Sequence, residues 1–101
     1  MQKSAALLTA MANPKRLAIL ELLMQGELAV GELAGRVGLS QSALSQHLSK
    51  LRAQKLVSTR RDAQTIYYSS RSQAVQAILA TLGDIFGEAQ NHTAAQSTAA
   101  A

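Results

Sequence analysis

Gly38-Leu39-Ser40-Gln41-Ser42-Ala43-Leu44-Ser45-Gln46-His47-Leu48-Ser49-Lys50-Leu51-Arg52 is the stretch that decides the fold. Gly38 interrupts any helix that precedes it, and Ser40 has the short oxygen-bearing side chain that caps a new one. The spacing predicts a helix over residues 41–54, with Leu44, Leu48 and Leu51 on one stripe. The opposite face holds Ser42, Ser45, Gln46, Ser49 and Ala53, which are small and uncharged, while Lys50 and Arg52 lie on its flanks. Such a helix docks on a core through leucines and offers short hydrogen-bonding side chains outward. A helix entering the major groove of DNA has the same requirement, because its backbone must approach the base edges closely.

Upstream, residues 31–37 read as a short helix burying Leu33 and Val37, after an extended connection at 27–30. Asn13 and Pro14 have the cap and first-position chemistry of a helix running to 25, where Gly26 stops it. Residues 4–12 read as a first, shorter helix. Downstream the period changes. Residues 56–61 and 65–69, rich in Val, Thr, Ile and Tyr, read as two strands joined by a loop at Asp62-Ala63-Gln64. A last helix is expected over 72–90, weakened by Gly83 and Gly87, and residues 91–101 are expected to form a flexible tail. The order is helix, helix, short strand, helix, helix, hairpin, helix. The fold class is therefore mostly α with a small β-hairpin: a winged helix-turn-helix in one domain over 1–90.

The charge is distributed to match. The formal net charge is +4, but residues 36–71 carry seven basic side chains against Asp62 alone, whereas the segments before and after are balanced or acidic. A localised basic zone is the electrostatic footprint of a nucleic-acid binder. With no cysteine the chain makes no disulfide and no thiolate metal site. No signal peptide or membrane span is evident, so a cytoplasmic, nucleoid-associated protein is expected. The two histidines make no catalytic constellation with the acids, so no enzymatic role, cofactor or metal is expected. Asp84, Glu88 and His92, spaced by four, are a poor zinc set.

The base-reading candidates are Gln41, Ser42 and Ser45 in the first turns of the polar-faced helix, then Gln46. Lys15, Arg16, His47, Lys50, Arg52, Arg60, Arg61 and Thr65 are candidates for phosphate contact. Leu7, Leu8 and Met11, with Val75, Ile78, Leu79, Leu82, Ile85 and Phe86, exceed what a small domain covers and are expected to form a homodimer interface. Each element has a plainer reading: a solvated polar helix face, an ordinary exposed turn, a last helix folded back on its own core. A protein-interaction module on the same fold is the competing function.

Three segments carry a resemblance: residues 11–17, residues 38–52 and residues 59–68. Together they resemble the ArsR/SmtB class of bacterial winged-helix repressors over about residues 10–70. The resemblance implies a homodimer built on the first and last helices and repression by blocking promoters. In the subgroup this sequence looks closest to, a recognition-helix glutamine adapts to different bases, and Gln41 matches it. Arg16 matches a residue that meets the DNA backbone. Many members bind metal through Cys-x-Cys on the third helix; here Ala29 and Gly31 stand at those positions. The resemblance thus implies double-stranded DNA as partner and leaves the effector unidentified.

Overall fold

The computed structural model describes residues 1–87. Its elements are α1 (Gln2–Met11), α2 (Pro14–Gln25), β1 (Leu28–Ala29), α3 (Val30–Val37), α4 (Gln41–Ala53), β2 (Ser58–Asp62), β3 (Thr65–Ser69) and α5 (Gln73–Phe86). Local chemistry sets most of these boundaries. The Asn13 carboxamide accepts from the backbone N–H of Lys15 and of Arg16 at 2.9 and 3.1 Å, and Pro14 begins α2. Ser40 and Ser72 cap α4 and α5 by accepting from Ala43 N–H (3.1 Å) and Val75 N–H (3.2 Å).

The turn between α3 and α4 depends on Gly38. Its φ of +72° is left-handed, and Leu39 N–H then donates back to Ala34 C=O at 3.0 Å. Lys15 closes the same corner from α2, its ammonium donating to Val37 C=O at 2.6 Å. A cation at the last carbonyls of α3 also opposes that helix's negative end.

β1, β3 and β2 form an antiparallel sheet in that order. The register pairs Arg60 with Tyr67 and Asp62 with Thr65, so Ala63 and Gln64 alone form the hairpin loop. The loop is one residue shorter than the sequence pattern suggests, because Asp62 completes the ladder. Ala63 takes the left-handed φ of 56° that so tight a loop demands. Leu56 and Val57, expected at the start of the first strand, instead enter the core. Buried Ser70 anchors the far end of the sheet: its hydroxyl donates to Leu56 C=O (2.7 Å) and its N–H to Leu23 C=O (3.2 Å).

The core lies where α2, α3 and α4 meet. Ile19, Leu20, Leu33 and Leu44 are fully enclosed there. Two side chains assigned from sequence to the dimer face belong to this core. Met11 is 2% exposed and Val75 is 0% exposed within the single chain, so neither is left for a partner. Both sit on the inner edge of a stripe too wide for one neighbour, so spacing alone did not separate inner from outer positions. The structure carries α5 to Phe86, where Gly87 at φ +70° caps it. The expected continuation to residue 90, the tail at 91–101, Glu88 and His92 lie outside the described residues.

Candidate nucleic-acid interface

Helix α4 divides cleanly. Leu44, Leu48 and Leu51 are 0–1% exposed, while Gln41, Ser42, Ser45 and Gln46 face solvent. Burying three leucines is worth about 1.5–3 kcal/mol each, so the helix is held firmly and its polar face is held outward. Ser45, Gln46, Ser49, Lys50 and Ala53 line a shallow depression of about 480 Å³ along that face. Gln41 starts the helix beside α3: its Nε2 lies 3.9 Å from where a Cβ on Gly31 would stand. Ser42 Oγ lies 3.5 Å from Ser40 Oγ, at the edge of hydrogen bonding.

The candidate phosphate contacts separate into two groups. Lys50, Arg52, Arg61 and Thr65 are exposed and make no side-chain hydrogen bond or ion pair with another described residue. Lys15, Arg16, His47 and Arg60 are engaged within the chain. Lys15 holds the end of α3. Arg60 is held by the Glu27 carboxylate through a two-pronged contact, Nε to Oε2 at 2.9 Å and Nη2 to Oε1 at 2.8 Å. It also lies over the Tyr67 ring, 4.6 Å from the centroid, and 4.0 Å from Asp62. Hydrogen bonding from Arg60 holds the Glu27 carboxyl below the usual carboxylate range.

Arg16 joins three helices. Its Nε donates to His47 Nδ1 at 3.1 Å, and its Nη1 to Ala10 C=O at 3.1 Å and Thr9 C=O at 3.5 Å. His47 is half-buried, and desolvation together with nearby Arg16 and Lys50 lowers its pKa below the ordinary histidine value.

Away from α4, the apolar residues of α1 and α5 form a second surface. Leu8, Ile85 and Phe86 are 53%, 65% and 69% exposed. Leu7, Ile78, Leu79 and Leu82 are half-buried. Leu79, Leu82 and Phe86 also line a groove of about 450 Å³ against Pro14, Leu17, Ala18 and Glu21 of α2. Among the described residues, no group of three or more His, Cys, Asp or Glu side chains is placed to hold a metal ion, and no helix is long and apolar enough to cross a membrane.

Comparison with known proteins gives the same architecture. A family model described as the arsR family of bacterial regulatory proteins matches residues 13–59. The nodulation protein NolR of Rhizobium meliloti is 72% identical over 85 residues, 84% of this chain and 70% of that one. The chain belongs to the ArsR family. The crystal structure of NolR from Sinorhizobium fredii superposes with a TM-score of 0.85 at 68% identity, covering 87% of this chain and 88% of that one. HlyU from Vibrio cholerae gives a TM-score of 0.77 at 50% identity, with 84% and 92% covered. The repressor BigR from Xylella fastidiosa gives 0.78 at 35% identity, with 84% and 87% covered. The winged helix-turn-helix expected from sequence is thus the fold of this ArsR-family chain, with β1 closing a three-stranded sheet.

Sequence reasoning missed Glu27 and Tyr67 as partners of Arg60. The Tyr67 contact depends on the two-residue hairpin loop, which puts Arg60 opposite Tyr67; the three-residue loop expected from sequence puts it opposite Ile66. The Glu27 contact crosses 33 positions of sequence and had no local signal.

Proposed function

We propose that this ArsR-family chain acts as a homodimeric transcriptional repressor that occupies a two-fold symmetric promoter site. Family membership makes it a DNA-binding transcriptional regulator. Among its relatives HlyU is named a transcriptional activator and the Agrobacterium fabrum relative a repressor. The observation that carries the finer reading is the division of α4: three leucines enclosed, four polar side chains open, and beside them the cations Lys50 and Arg52, which have no side-chain hydrogen bond or ion pair among the described residues.

In this reading Gln41, Ser42, Ser45 and Gln46 contact base edges, where a glutamine pairs with adenine N6 and N7. Lys50, Arg52, Arg61 and Thr65 contact phosphates and set register without reading sequence. Apolar residues of α1 and α5, the exposed Leu8, Ile85 and Phe86 among them, join two protomers and place two α4 helices about one turn of DNA apart, ~34 Å. The protein works in the cytoplasm, on the nucleoid.

The test is an anisotropy titration of promoter DNA at rising salt, paired with a promoter–reporter strain. Affinity should fall steeply with salt, since each neutralised phosphate releases counterion, and loss of the gene should raise reporter output. Absence of any shift, or binding indifferent to salt, supports the interaction-module reading instead; a fall in reporter output makes the protein an activator.

A further inference from the structure

The contact between Arg16 and His47 is oriented. Arg16 has only donors, so the 3.1 Å contact from its Nε requires a lone pair on His47 Nδ1. The imidazole is therefore neutral, with its proton on Nε2. The same guanidinium donates to the carbonyls of Ala10 and Thr9 at the end of α1. One side chain thus ties the end of α1, the first turn of α2 and the middle of α4 together. α1 carries the exposed Leu8 of the proposed dimer face, and α4 carries the polar reading face.

We propose that His47 is a positioning residue for DNA binding: its neutral Nδ1 seats Arg16 between α1 and the recognition helix, and protonation of the ring releases that seat. The proposal rests on α4 being the reading helix. It differs from the sequence expectation that His47 meets a phosphate, and the two have opposite signs. A phosphate-contacting histidine binds DNA more tightly once protonated. A histidine that must accept from an arginine binds DNA less tightly once protonated, because the imidazolium has no lone pair and repels Arg16. The charges facing His47 are Arg16 from α2 and Lys50 from its own helix, both cations. From α1 the cluster receives the backbone carbonyls of Thr9 and Ala10. Among the described residues, no carboxylate acts on the ring to stabilise its charged form. The loss is therefore expected below the ordinary histidine value of about 6.5, and neutral pH has the seat intact.

Two substitutions separate the roles by geometry. In His47→Asn the amide oxygen falls where Nδ1 stood, two bonds from Cβ, and does not titrate. In His47→Gln the amide group reaches instead to the place of Nε2, the outward nitrogen. DNA affinity of the full chain is measured by anisotropy at fixed salt from pH 5 to 8, for wild type and both variants, with dimer state followed by sedimentation. Wild type should weaken about five- to tenfold toward pH 5, the worth of one hydrogen bond. His47→Asn should keep neutral-pH affinity within about threefold and lose the pH dependence, and His47→Gln should bind weakly at every pH. A wild-type profile that rises as pH falls, or one that His47→Asn leaves unchanged, overturns the proposal. So does full affinity in His47→Gln beside weak binding in His47→Asn. Failure of wild type to bind at pH 7.5 refutes the reading of α4 itself, so the two failures are distinct.

Discussion

Phe86→Glu isolates the proposed dimer face. Phe86 is the last residue of α5 and is 69% exposed in the single chain. Its own protomer therefore has little to lose when it is replaced. A phenylalanine side chain offers roughly 170 Å² of apolar surface, of which about 120 Å² stays open here; at about 25 cal/mol per Å² its burial by a partner is worth about 3 kcal/mol. Two-fold symmetry repeats that contribution, and ordering costs at the interface take part of it back. A glutamate there also puts a charge against the apolar surface of the partner, where it loses its hydration. The dimer dissociation constant should rise at least about a hundredfold, which is roughly 2.7 kcal/mol. Sedimentation equilibrium over a wide concentration range reads this directly, with far-ultraviolet dichroism to verify that helix content is retained. Val75→Ala is the contrasting control on the same helix. Val75 is fully enclosed, so its truncation should cost about 2 kcal/mol of folding stability and lower Tm by roughly 10 °C. A Phe86→Glu protein that dimerises with wild-type affinity would refute the assignment of this surface.

Gln41→Ala should weaken binding to the preferred site by about 1–3 kcal/mol while leaving non-matching DNA nearly unaffected, read as the ratio of the two affinities. Ala63→Gly should raise Tm by a few degrees in a calorimetric scan, because it relieves a left-handed alanine at φ 56° at a cost of only about 0.4–1 kcal/mol in unfolded-chain entropy. Glu27→Gln should flatten the acid limb of stability. The Glu27 carboxyl titrates below its unfolded value of 4.5 in the folded chain, so its contribution is present above that value and fades as pH falls below it. Wild type and variant should therefore converge toward pH 3 in urea titrations; a constant gap across all pH values counts against the Arg60 pairing as the cause.

The helices and the hairpin were legible because each carries its own punctuation. Asn13-Pro14, Gly38 with Ser40, and Ser72 act within three or four residues, and the structure uses each in the way its side-chain chemistry dictates. What sequence did not reveal is contact over distance. Leu7, Met11, Val75 and Phe86 are equivalent as apolar residues on helical stripes, yet Met11 and Val75 face inward and Phe86 faces out. Which face of a stripe lies beneath depends on how α1 and α5 cross α2, and no local spacing encodes that crossing. The cations show the same limit. Lys15, Arg60 and Arg61 look alike in a charge tally. Only the tertiary arrangement shows that Lys15 caps α3 and Arg60 is occupied by Glu27, whereas Arg61 has no such partner among the described residues.

The complete enclosure of Leu44, Leu48 and Leu51 has a consequence for operator choice. A helix clamped on three of its four turns cannot slide or roll to suit a variant site without opening cavities in the core beneath it. Whatever latitude the protein has among related operators must reside in the rotamers of its outward side chains. Gln41 and Gln46, each with three rotatable bonds and an amide that offers a donor at one end and an acceptor at the other, have the widest choice of these.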